Sequence, residues 1–160
     1  MKVTAMLCNH AEVQNNLLYL SGAGIDRSIA PPGSPGPWGI NVGIGLIVTV
    51  PWTATNEQHR VLVSFVDADG HPVRVPTSPD TEDDFRAEMV FNVGRPPELS
   101  VGDEQSVALA INLPGLPLRK LGQYRFNIEV DGSPATDLPY RLVMPAGMTV
   151  GMGPSALPRF

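Results

Sequence analysis

The chain has 160 residues, enough for one domain that buries roughly two-thirds of its unfolded surface; its 42% hydrophobic and 17% charged residues argue against both a disordered polymer and a membrane protein. The 11 Lys+Arg and 16 Asp+Glu leave a net charge of −5. The cations are scattered, which excludes the basic footprint of a nucleic-acid or anionic-membrane partner. The single cysteine, Cys8, excludes an intrachain disulfide and a cysteine-cluster metal site, and it suits a reducing, cytoplasmic location.

The 17 Pro and 16 Gly fall mostly between short alternating or β-branched segments, which leaves almost no room for a helix and predicts an all-β chain. Lys2 to Asn9 reads as the first strand; its apolar run breaks at Asn9-His10 and polar Glu12, Gln14, Asn15 and Asn16 follow, so it is no secretory h-region. Asn16 to Ile29 reads as a second long strand, bent at Gly22 and Gly24. Arg27 to Gly39 holds four prolines and is expected to form an extended, candidate functional loop. Trp38 to Val50 is a third strand with Val42, Ile44, Leu46, Val48 and Val50 on its core face; its apolar part is too short to span a bilayer.

Gln58 to Asp67 is a fourth strand, apolar on both faces and therefore central, and Asp69-Gly70 is a hairpin signal after it. Thr77 to Asp84 reads as an acidic loop, and Phe85 to Val93 as a half-buried strand. The alternation from Val107 to Leu113 is expected to stop at Pro114, Gly115 and Pro117. Tyr124, Phe126, Ile128 and Val130 form the clearest strand, and Asp131-Gly132 turns into a last one, Leu138 to Met144. The expected fold is an antiparallel β-sandwich, Ig-like or jelly-roll-like, of eight or nine strands over residues 1–144. Residues 145–160 form an extended Gly/Pro/Met-rich tail.

Chemistry-bearing motifs are sparse. Cys8 and His10 would share a strand face, but no acid orients them, and Cys8 ends an apolar run as a small buried hydrophobe does. Asp67, Asp69 and Gly70 look like the start of a calcium loop, yet the later ligands are missing and a hairpin turn is the plainer reading. Asp80, Glu82, Asp83 and Asp84 suit a solvated face, and His10, His59 and His71 have no ligand spacing. No catalytic residue, metal or cofactor is expected. An enzyme would require a pocket gathering His59, His71 and Asp67.

Binding residues are better represented. Trp38 and Trp52 bracket the third strand beside Pro37 and Pro51, where each either caps the core or anchors a ligand. Met148, Met152 and Phe160 give the tail apolar points with which to add a strand to a sheet edge, on this chain or a neighbour.

Four segments carry a family resemblance: Met6-Leu7-Cys8-Asn9, Leu17-Leu18-Tyr19-Leu20-Ser21-Gly22-Ala23-Gly24, Asp67-Ala68-Asp69-Gly70, and the stretch from Gly122-Gln123-Tyr124 to Asp131-Gly132. With these the chain resembles small uncharacterised bacterial all-β proteins with a domain of unknown function, over residues 1–144. The resemblance implies no activity. The expected role is a non-catalytic protein-interaction or structural module with a protein partner or self-association. The alternatives are a glycan- or small-ligand-binding sandwich, with Trp38, Trp52 or Tyr19 stacking, and, further off, a metal-dependent hydrolase.

Overall fold

A computed structural model describes residues 1–145. Twelve strands run through them: β1 (Lys2–Cys8), β2 (His10–Gln14), β3 (Leu17–Ser21), β4 (Arg27–Ile29), β5 (Trp38–Pro51), β6 (Gln58–Asp67), β7 (Arg74–Ser78), β8 (Thr81–Asp84), β9 (Arg86–Asn92), β10 (Glu104–Leu118), β11 (Gly122–Val130) and β12 (Ser133–Val143). One short 3-10 turn, Trp52–Ala54, is the sole helical element among the described residues. The fold is all-β, as the punctuation dictates, and among the described residues all pairings are antiparallel except that of β12 with β4.

Two sheets supply the core. One has the order β1-β5-β10 and the other β4-β12-β11-β6-β9. Along β5, every second residue from Ile40 to Val50 is buried. These side chains form one apolar cluster with Val61, Val63 and Phe65 of β6, Tyr124, Phe126, Ile128 and Val130 of β11, and Tyr140 and Leu142 of β12. A period of two in sequence thus becomes one inward face per strand. An aromatic ladder stiffens the five-stranded side: Phe65 stacks on Phe126 at 4.0 Å between centroids, with Tyr124 and Tyr140 flanking.

Several expectations need correction, each for a local reason. The strands outnumber the expected eight or nine because one segment read as single is divided and two segments read as connections, 10–14 and 81–84, are strands. The bent strand over 16–29 is divided into β3 and the short β4, and β3 forms a hairpin with β2, which precedes it. Asn15 and Asn16 adopt φ of 51° and 62° and form the hairpin's two-residue turn, a conformation that asparagine tolerates better than most residues. The acidic loop is the β7–β8 hairpin, so Glu82, Asp83 and Asp84 are strand residues. Pro114 and Pro117 do not end β10. It lies at a sheet edge, where a missing N–H costs little, and a bulge between Leu113 and Leu116, with Gly115 at φ 65°, absorbs the irregularity. The last strand begins at Ser133 rather than Leu138.

The β2–β3 hairpin folds over the outer face of the three-stranded sheet, and two glycines make room for it. A Cβ on Gly45 would lie 2.3 Å from Leu20 Cδ2, and one on Gly43 would lie 3.0 Å from the Ala11 nitrogen. Asn112 on β10 then pins the hairpin. Its Nδ2 donates to the Ala11 carbonyl (2.7 Å) and its Oδ1 accepts from the Ala11 N–H (2.9 Å), so a side-chain amide imitates a strand neighbour for buried backbone.

Candidate functional site

Trp38 opens β5 and Trp52 follows its last residue, roughly 45 Å apart along an extended chain. Both are half-buried. Trp38 packs against Gly36 and donates its indole N–H to the Ser34 carbonyl (3.1 Å). The ring of Trp52 is covered by the Arg95 guanidinium, 3.8 Å from its centroid, and Arg95 also donates to the Trp52 carbonyl and the Thr55 hydroxyl. The two indoles therefore form no common platform. Met148, Met152 and Phe160 lie outside the described residues.

A different set of apolar side chains is gathered by the hairpin. Met6, Val13, Leu17, Tyr19 and Ile47 are between 37% and 59% exposed. The register brings three of them near one another: Met6 lies opposite Gly45, Ile47 follows two residues later on the same face, and Val13 pairs with Leu18, which packs over Gly45. Tyr19 and Leu17 occupy the hairpin's other face, beside Glu12 and Gln14. The exposed apolar side chains thus form two groups, Met6, Val13 and Ile47 on the side where hairpin and sheet meet and Leu17 and Tyr19 on the hairpin's outward face; exposed apolar groups of this kind mark interaction sites.

A cleft of about 320 Å³ opens between the turn after β6 and the segment joining β10 to β11. Val73, Leu118, Leu121 and Tyr124 supply apolar walls, and Asp67, Arg74, Glu82, Arg119 and Lys120 supply charge. Glu82 pairs with Arg119 through its carboxylate, and its carbonyl accepts from Arg74 (2.5 Å). Burial pushes the Tyr124 hydroxyl above its ordinary range, although it donates to the Lys120 carbonyl.

At the rim, ligand atoms of Asp67, Asp69 and His71 lie within 4.8 Å of one another. Asp67 Oδ1 accepts from the backbone N–H groups of Asp69 (3.0 Å) and His71 (2.9 Å). The His71 amide, then that of Asp69, hold its carboxyl below the usual range despite some desolvation. The arrangement is a hairpin turn tied down by its first residue, with Gly70 at φ 84°. His59 is not part of it, since it lies at the other end of β6. The three residues that hydrolytic chemistry would need are therefore not gathered.

His59 is nearly fully buried and tilts against Phe91. Its Nδ1 faces Asp131 Oδ2 at 2.9 Å and its Nε2 faces the Ala54 carbonyl at 2.7 Å. With an acceptor at each nitrogen, the protonated ring satisfies both. Burial opposes the charge, but the Asp131 carboxylate and the Ala54 carbonyl outweigh it and raise the His59 pKa. Burial likewise opposes ionisation of Asp131, yet the Arg60 amide and His59 hold its pKa down. A raised histidine pKa contributes stability that is full below the ordinary value of about 6.5 and is lost as pH rises through the folded-state value. The lowered Asp131 pKa contributes above its ordinary value and is lost as pH falls through the folded one. The melting temperature is therefore expected to fall as pH rises above about 6.5, and Asp131→Asn is expected to flatten that fall. An unchanged slope in thermal melts of the variant would show that the pair is not the source.

The sequence showed His59 as an isolated histidine because its partner is remote in the chain, and the exposed apolar groups were hidden because Met6, Tyr19 and Ile47 belong to three strands. The Asn15-Asn16 pair was the available signal for the hairpin. A comparison with curated proteins finds no match. The model of a family of unknown function, DUF6941, matches residues 3–143, and the chain belongs to that family.

Proposed function

We propose that this member of a family of unknown function is a non-catalytic protein-interaction module whose two larger sheets form the layers of a sandwich. A partner protein docks on the outer face of the three-stranded sheet and its hairpin. The observation that supports this reading is the exposed set Met6, Val13, Leu17, Tyr19 and Ile47. Apolar side chains held out on well-paired strands present a preformed surface that loses little entropy on binding. The buried Cys8 thiol, its pKa raised by desolvation, is compatible with a reducing compartment such as the cytoplasm.

The test is affinity capture from the native host's lysate with three baits: the full chain, Leu17→Asp/Tyr19→Asp, and a version ending at Met144. A protein held by the full chain and depleted at least tenfold by the double variant is the expected result. Loss on truncation would add the tail to the docking surface. Equal capture by the full chain and the double variant, or no specific protein at all, would overturn the reading.

The cleft beside Tyr124 favours a second reading, a small-ligand site. Metabolite or glycan binding that Tyr124→Ala removes, in a chain that captures no protein, would support it.

A further inference from the structure

Among the described residues the free side of β10 has no strand beside it, and its sequence lacks the usual protections of an edge. No side chain from Gln105 to Leu118 is ionisable, whereas exposed edges are ordinarily kept single by charges, prolines or bulges. Pro114, Pro117 and the bulge all lie in the C-terminal part, so residues 105–113 remain an uninterrupted run. Their inward side chains Val107, Leu109, Ile111 and Leu113 pack on the core yet are only half-buried, as are Ala87 and Met89 on β9, the edge of the other sheet. Gln105 donates to the Gly94 carbonyl just beyond β9 (3.0 Å), which brings the two edges to one side of the molecule. The core is thinly covered along that side.

The same run is self-complementary. About Leu109, Ala108 mirrors Ala110, Val107 mirrors Ile111, and Ser106 mirrors Asn112. Over residues 106–112, two such strands related by a two-fold axis match apolar with apolar and polar with polar, and they set no like charges opposite one another. We propose that a second copy of this chain pairs antiparallel along β10, centred on Leu109, joining two three-stranded sheets into one continuous sheet. The inference rests on reading the chain as an interaction module and names one partner for it. The neutral, pseudo-symmetric edge favours a copy of itself over a foreign strand, and the hairpin resting on β10 adds its exposed Val13 and Leu17 to the surface available.

Sedimentation equilibrium of the full chain tests this. The expected mass is twice 17.1 kDa, falling to the monomer value in Ala108→Lys, which sets two lysines diagonally across the axis about 7–8 Å apart. Leu109→Cys is expected to oxidise to a covalent dimer, because directly opposed Cα atoms about 4.5–5.5 Å apart suit a disulfide and Cys8 is buried. Val107→Cys should not cross-link, since its two copies would lie about 13 Å apart. Far-UV circular dichroism establishes that each variant is folded. A monomer at all concentrations, or cross-linking at 107 as readily as at 109, would overturn the pairing. A monomeric chain would leave the docking reading intact, because that reading is decided by the capture comparison at Leu17 and Tyr19.

Discussion

Phe126→Ala is expected to lower the unfolding free energy by about 3–5 kcal/mol, the usual range for truncating a fully buried aromatic. The residue is fully buried on β11, which lies between β12 and β6. Its ring stacks on Phe65 at 14° and meets Tyr140 edge-on at 6.2 Å, while Phe65 is also stacked on Tyr124 and edge-on to Phe85. Removing the ring leaves a void bounded by neighbours fixed on paired strands, so the site has little scope to collapse. Chemical denaturation measures the loss, and Phe126→Leu is expected to cost clearly less because most of the volume is retained. A loss below about 1 kcal/mol for alanine would mean that the ladder is not the principal packing element.

Gly45→Leu is expected to strip the hairpin from the sheet and to cost about 1–3 kcal/mol, as overpacking does. The first carbon of the new side chain would already fall 2.3 Å from Leu20, with Leu18 at 3.2 Å, before the rest is accommodated. The hairpin is the element free to move, because β5 is paired on both sides. Hydrogen exchange should therefore show faster exchange of the paired amides of β2 and β3, while those of β11 keep their protection. Adding Leu20→Ala should return part of the loss, a coupling expected of residues in contact. Uniform loss of protection across the chain would contradict a locally docked hairpin.

The long strands were legible because each alternates cleanly: β5, β6 and β11 lie where periodicity puts them, and their inward residues are the buried ones. The Asp69-Gly70 and Asp131-Gly132 turns were legible from turn chemistry, with both glycines at positive φ. What escaped depended on contacts distant in sequence. Pro114 and Pro117 signal a strand end unless one knows that β10 is an edge, and edges are a property of the sheet. Glycines 43 and 45 read as weak spots in a strand until the hairpin that needs their bareness is in place. His59 and Asp131, 72 positions apart, meet because β6 pairs with β11. The exposed apolar residues of the hairpin and its sheet are likewise spread over β1, β2, β3 and β5, each of which carries one or two, too few to be conspicuous alone.

The order of strands also sets a schedule for synthesis. β5 lies between β1 and β10, so one of its hydrogen-bonding edges stays vacant while the ribosome adds everything from Trp52 to Leu118. At ordinary elongation rates of 5–20 residues per second, that interval is roughly 3–13 s. During it, a nascent strand as apolar as Ile40 to Val50 is open to pairing with any neighbouring chain, and its own completing partner, β10, is among the last segments to arrive. Conditions that slow translation between these two strands would prolong that exposure, and aggregation during expression should follow the delay even when the finished protein is stable.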